Sequence, residues 1–159
     1  EIRNKILKRE MSDEEIINTF KQAREAGLKV YSFNMVGIPY ETKESINKTI
    51  KLNQKCRPDY VGVSIFNAFK GTEIYSLCEK NNWLSKKYSK SYFRESNINH
   101  PNFTKKQLKK IRNNFGAKVF LAYKPFRGMV DYLDRNLSQL NFFIRIRSKI
   151  IKNLKLLKK

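Results

Sequence analysis

The stretch best suited to chemistry is Met35-Val-Gly-Ile-Pro-Tyr-Glu-Thr42. It leaves a β-branched and aromatic run and enters a helical pattern, the position at which α/β folds carry their functional groups. Gly37 lets backbone approach a ligand closely, Pro39 stiffens the turn, and Glu41 and Thr42 can satisfy the N-terminus of the following helix. On local physics alone, the same residues also describe a well-built strand-to-helix turn with no further role. Metal chemistry is poorly provided for. Cys56 and Cys78 are the only cysteines, too few and too far apart for a disulfide framework or a zinc site, and they read as small buried hydrophobes. His100, alone in a connector and followed by Pro101, reads as a surface residue rather than a ligand.

The elements around these residues repeat. Ser12-Asp-Glu-Glu15 is a capping box opening a helix with Ile16, Phe20 and Ala23 at helical spacing, and Gly27 ends it. Residues 28–36 then read as a strand. Thirty residues on, Thr42 caps a helix bearing Ile46 and Ile50, Pro58-Asp59 stops it, and residues 60–66 form a second strand. At that offset Tyr31, Phe33 and Met35 match Val61, Val63 and Ile65. These apolar sets are expected to face covering helices, with Ser32, Asn34, Gly62 and Ser64 facing a barrel lumen. Two helix–strand units in succession imply a parallel sheet, and two strands cannot close a barrel, so the chain reads as a piece of something larger. Thr72 caps a helix to about Asn81, and residues 83–103 form an irregular connector whose aromatics, Trp83, Tyr88, Tyr92 and Phe93, could cover a site mouth but are expected to pack the extension onto the barrel. Thr104-Lys-Lys-Gln107 opens a further helix with Leu108, Ile111, Phe115, Val119 and Ala122 on one face, which Pro125 is expected to end. One or two more helices follow, over 128–139 and 140–158.

Net charge is +20, and it is concentrated late: 18 Lys+Arg against 12 Asp+Glu in residues 1–100, but 16 against 2 in residues 101–159. A tail this basic can meet nucleic acid, an anionic membrane surface or an acidic partner, or can be a solvated face. Nucleic acid is disfavoured because the aromatics fall at strand and helix-core positions rather than among exposed lysines. No apolar run approaches the roughly 20 residues that span a bilayer, and no signal-peptide pattern opens the chain. The expectation is a reducing cytoplasm.

Four segments in order resemble the radical S-adenosylmethionine (SAM) superfamily, in the branch that often carries an upstream cobalamin-binding domain and includes anaerobic cyclases and methyltransferases. They are EIRNKILKREMSDEEI, AREAGLKVYSFNMVGIPYET, KCRPDYVGVSIFNAFKGTEIY, and the lysine-rich helix with YKPFRGMVDYL. Tyr40 stands where the family has Gly, and Lys70 where it has Pro. The Cys-x3-Cys-x2-Cys triad that would supply three thiolates to a [4Fe–4S] cluster is absent from this sequence, and the resemblance places it upstream.

The resemblance implies an α/β fold: a partial TIM-like barrel of the radical SAM type, its last two helix–strand units over 1–82, the connector over 83–103, and a basic helical extension over 104–159. It implies that Asn34, Val36, Gly37 and Ile38 line an adenine pocket, with the backbone of Phe66, Asn67 and Ala68 meeting adenine from the second strand. Arg9, or its neighbour Lys8, would hold the SAM carboxylate, a task that suits a fork-shaped guanidinium; an exposed helix residue is the competing reading for Arg9. No metal ligand or catalytic residue is assigned. The implied cofactors are SAM and a [4Fe–4S] cluster, with cobalamin in some relatives, and the implied partner is the upstream part of the barrel. The segment alone is expected to be inactive. The alternative is a non-catalytic basic module for RNA or an anionic membrane. The last helix, with Phe143, Ile146, Ile150 and Leu154 on one face, is expected to dock on its own domain rather than on a membrane.

Overall fold

The computed structural model describes residues 2–85, 91 and 93–137. After a short α1 (Ile2–Lys5), helix α2 (Asp13–Glu25) starts at the capping box that the sequence announced. Ser12 Oγ accepts from the Glu15 N–H at 3.1 Å, and the Glu15 carboxylate accepts from the Ser12 N–H at 2.7 Å. Strand β1 (Tyr31–Val36) leads to α3 (Lys43–Cys56), opened by a second reciprocal box between Thr42 and Ser45. Helix α3 ends where Arg57 turns left-handed at φ 50° just before Pro58, a residue that cannot continue a helix. Strand β2 (Tyr60–Ile65) and α4 (Glu73–Lys80), capped by Thr72, follow. Helix α5 (Lys105–Leu121) opens at the Thr104–Gln107 box. Pro125 does not terminate this helix as expected. It opens α6 (Pro125–Leu137), in the first turn of a helix where its missing N–H has no partner to lose. The expected helix over 140–158 lies outside the described residues.

Strands β1 and β2 are adjacent and parallel, joined through α3, as the repeat predicted. The register, however, pairs Ser32 with Val61, Asn34 with Val63 and Val36 with Ile65, an offset of 29 rather than 30. This reverses the expected facing of β1. Ser32 and Val36 are buried with Val61, Val63 and Ile65, while Tyr31, Phe33 and Met35 are exposed on the other face, Phe33 to 85%. The cause is tertiary. Helices α3 and α5 cover one face of the sheet, with Ile46, Ile50, Leu108, Phe115, Val119 and Phe120 packed on Val36, Val61, Val63 and Ile65. Asn34 sits beneath this layer and pairs with Asn53 of α3, which donates to Asn34 Oδ1 at 2.8 Å; Asn34 Nδ2 donates to Gly62 O at 3.2 Å. Hydrogen bonding makes its burial affordable. Helix α2 packs on α3, and none of its residues is fully buried.

The open face carries an aromatic row. The Tyr31 ring stacks on Phe33 at 4.5 Å and on Tyr60 at 5.7 Å between centroids. Gly62 lies beneath Tyr31, where a Cβ would come within 2.9 Å of the ring, so glycine there lets the ring lie across β2. The two edges of the sheet differ. The outer edge of β2 is closed by its own chain: Arg112 Nε donates to Val63 O at 3.1 Å, Arg135 Nη2 to Val61 O at 3.4 Å, and the Ile65 N–H to Phe93 O at 3.2 Å. The outer edge of β1 has no strand beside it among the described residues. No helix among those residues is long and apolar enough to cross a membrane.

Candidate functional site

The loops leaving β1 and β2 meet at the carboxyl ends of the strands. Gly37, at φ +82°, turns the chain out of β1 and lies under Leu108, whose methyls would stand 3.0 and 3.1 Å from an added Cβ. The buried Glu41 carboxylate reaches back to this turn and accepts from the Gly37 N–H at 2.5 Å and from the Ile38 N–H. Burial pushes its pKa up to about 7, and those two N–H donors pull in the opposite direction. His100 is buried, contrary to the surface position expected for it. Its Nε2 donates to Ile38 O at 2.8 Å while its Nδ1 accepts from the Asn102 N–H at 3.0 Å, which fixes a neutral ring in one tautomer. Burial also lowers the His100 pKa. The turn is thus held by Glu41 on one side and His100 on the other. Tyr40 is left-handed at φ 66°, with its ring edge-on to Trp83 at 5.3 Å. That left-handed conformation is one glycine adopts more readily than tyrosine.

The second loop is held as firmly. The Phe66 N–H donates to Val36 O at 2.8 Å, and Phe66 O accepts from Ser96 Oγ at 2.8 Å. Asn67 Nδ2 donates to Glu95 O at 2.8 Å, and its Oδ1 accepts from the Asn97 N–H at 3.0 Å. Asn97 in turn pairs with both backbone groups of Ala68. Ile38, Phe66 and Ala68 share a cluster with Cys78 and Ile98, onto which Ile2, Ile6 and Leu7 pack.

Of the residues singled out from sequence, Val36, Gly37, Ile38, Phe66, Asn67 and Ala68 therefore come together, the side chains of Val36, Ile38, Phe66 and Ala68 buried in the two cores. Asn34 does not join them with its side chain, which is turned to α3. Arg9 is exposed just after α1, while its neighbour Lys8 is ion-paired with Glu73 at 2.6 Å. Two hollows open near these loops: one of about 410 Å³ on the open face, lined by Met35, Ser64, Ile65, Asn67, Phe69 and Phe93, and one of about 320 Å³ along residues 99–107, beside His100. Among the residues lining the larger hollow only Asn67 had been named as an adenine-pocket residue; Met35 opens the turn singled out for chemistry, and Ser64 was expected to face a lumen. Met35 and Ser64 are register partners at the carboxyl ends of the strands, a relationship visible only once the 29-residue offset is known.

The two cysteines are both buried, Cys78 inside the second core, and burial raises both thiol pKa values. Among the described residues, no group of three or more His, Cys, Asp and Glu side chains is arranged to hold a metal ion.

No family model matches the chain. It is similar to an uncharacterized methyltransferase of Pyrococcus horikoshii, at 25% identity over 115 residues. The similarity covers 72% of this chain and 25% of that protein, so the chain spans about a quarter of the length of the curated relative it matches.

Proposed function

We propose that this chain forms the carboxyl-terminal part of a radical SAM barrel and supplies the wall against which the adenosyl group of SAM rests. The observation that carries the reading is the asymmetric parallel pair. One strand edge is closed by arginines and the other has no strand beside it among the described residues, and a hollow lies at the carboxyl ends of the strands, where α/β sheets bind ligands. The upstream part of the barrel would pair along β1 and cover the aromatic face. The similarity to a methyltransferase supports a reaction that uses SAM.

The residues present fit SAM. Phe69 and Phe93 are 55% and 69% exposed at the hollow, and ring faces of this kind stack on a heteroaromatic base at about 1–3 kcal/mol per base. The Asn67 side chain is held by Glu95 O and the Asn97 N–H, so that part of the wall is set before a ligand arrives. Arg9 is exposed, and its guanidinium has the chemistry to hold a carboxylate. The residues present do not fit a [4Fe–4S] cluster, since two separately buried thiols cannot supply three thiolates to one cluster. The reductive chemistry would come from the upstream polypeptide. Cobalamin stays an implication of the resemblance.

SAM affinity measured on the chain assembled with its upstream polypeptide tests this reading. Phe69→Ala and Phe93→Ala should each weaken binding roughly tenfold. Unchanged affinity in both would refute the placement.

A further inference from the structure

Four arginines lie along the outer edge of β2. Arg127 stands over the ring of Tyr60, the first residue of the strand, at 5.4 Å from its centroid. Arg135 then donates to Val61 O and Arg112 to Val63 O, and Arg94 follows Phe93, whose carbonyl accepts from the Ile65 N–H. Val61 and Val63 are two residues apart, so the middle two guanidiniums are anchored at points about 6.6 Å apart along the strand. Arg135 is ion-paired with Asp131, whereas Arg112 donates to Val63 O and the Asn113 carboxamide, both neutral. Burial, and then the fields of Arg135 and Arg94, lower the Arg112 pKa, as happens when cations stand side by side. Capping a strand edge needs donors but not charge, so the row holds positive charge that an anionic ligand can neutralise.

Beside this row stands the aromatic column. Phe33, Tyr31 and Tyr60 stack in that order and are 85%, 48% and 46% exposed. Interior aromatics would disfavour nucleic acid, but the register turns Tyr31 and Phe33 outward, so ring faces and cations now share one surface. Cations in line beside stacked rings track a single strand, its phosphates on the guanidiniums and its bases on the rings. An acidic polypeptide would engage the arginines and leave the rings idle. We infer that the β2 edge and the open face bind single-stranded nucleic acid, and that a base of this strand is the substrate presented to the hollow at Phe69 and Phe93. The second half of that statement rests on the placement of SAM proposed above, and the first half does not.

Fluorescence anisotropy of a labelled single-stranded RNA 12-mer, titrated with the full chain over a salt series, tests the inference. Arg94, Arg127 and Phe33 are exposed, so an Arg94→Gln, Arg127→Gln pair and Phe33→Leu should each keep the circular dichroism of the parent. A Lys48→Gln, Lys51→Gln pair on the exposed side of α3 removes the same charge elsewhere and controls for attraction by the basic tail. The arginine pair should weaken binding roughly tenfold or more and reduce the salt slope by about 1.4, as for two lost phosphate contacts. Phe33→Leu should weaken binding roughly tenfold with the slope unchanged, and the lysine pair should change it by less than about threefold. No binding of the RNA, equal losses for the arginine and lysine pairs, or a Phe33→Leu variant that binds as the parent does would each overturn the inference. The titration reads RNA affinity and the Phe69 and Phe93 variants read SAM affinity, so either proposal can fail while the other stands.

Discussion

The Asn97 carboxamide lies against the backbone of Ala68, accepting from its N–H at 2.8 Å and donating to its C=O at 2.7 Å. The loop just beyond β2 thereby has both polar groups of one residue satisfied by a single side chain of the connector. Asn97→Ala would leave both Ala68 groups without partners and should cost about 1–3 kcal/mol in denaturant unfolding. Asn97→Asp keeps the acceptor and loses the donor, so its loss should be smaller. Equal losses for the two variants would mean that the paired geometry contributes nothing.

Glycine substitutions separate space from conformation at the β1 turn. Gly37 and Gly71 have nearly equal φ, +82° and +85°, but a Cβ at Gly37 would meet Leu108 at 3.0 Å whereas one at Gly71 meets nothing within 4 Å. Gly71→Ala should cost about 1 kcal/mol from backbone strain alone. Gly37→Ala adds displacement of a core leucine and should cost clearly more, by about a further 1–3 kcal/mol. Thermal unfolding of the pair measures the difference.

Glu41 makes stability depend on pH in a defined direction. Its pKa is raised from 4.5 to about 7, so across that interval the folded chain holds a proton that the unfolded chain has released. Stability from this group should therefore be fully present below pH 4.5 and fall as pH rises to about 7, by at most about 3 kcal/mol. Glu41→Gln keeps an oxygen for the Gly37 and Ile38 N–H groups and has no proton to lose. Urea unfolding from pH 4.5 to 8 should show a shallower decline in the variant than in the parent.

Local features were legible in the sequence and facing was not. The capping boxes at Ser12 and Thr104 depend on three neighbouring residues, and they are where the pattern put them. The parallel pairing of β1 and β2 followed from the spacing of two similar units. Which face of β1 is buried depends on α5, which arrives late in the chain and packs on Val36 and Val63 rather than on Phe33. Alternation of aromatic and polar residues cannot distinguish a buried aromatic face from one left open, and the Asn34–Asn53 pair that permits the polar face inside requires the register to be known. His100 was misread for a similar reason, because its two partners, Ile38 O and the Asn102 N–H, are backbone groups with no signature in sequence. For the site, the turn containing Gly37 was visible locally. Phe93 was visible only as one of several connector aromatics able to cover a site mouth, with packing preferred, and the fold decides which of them reaches the hollow.

The central claim is that this chain completes a SAM-cleaving barrel whose cluster is held elsewhere. Anaerobic reconstitution with iron and sulfide tests it, on the 159-residue chain alone and on the chain with the polypeptide encoded immediately upstream, read by iron content and by 5′-deoxyadenosine formed from SAM. The account predicts iron and 5′-deoxyadenosine only when the upstream polypeptide is present. A [4Fe–4S] cluster assembled by this chain alone, or iron-independent conversion of SAM to S-adenosylhomocysteine by it, would contradict the account.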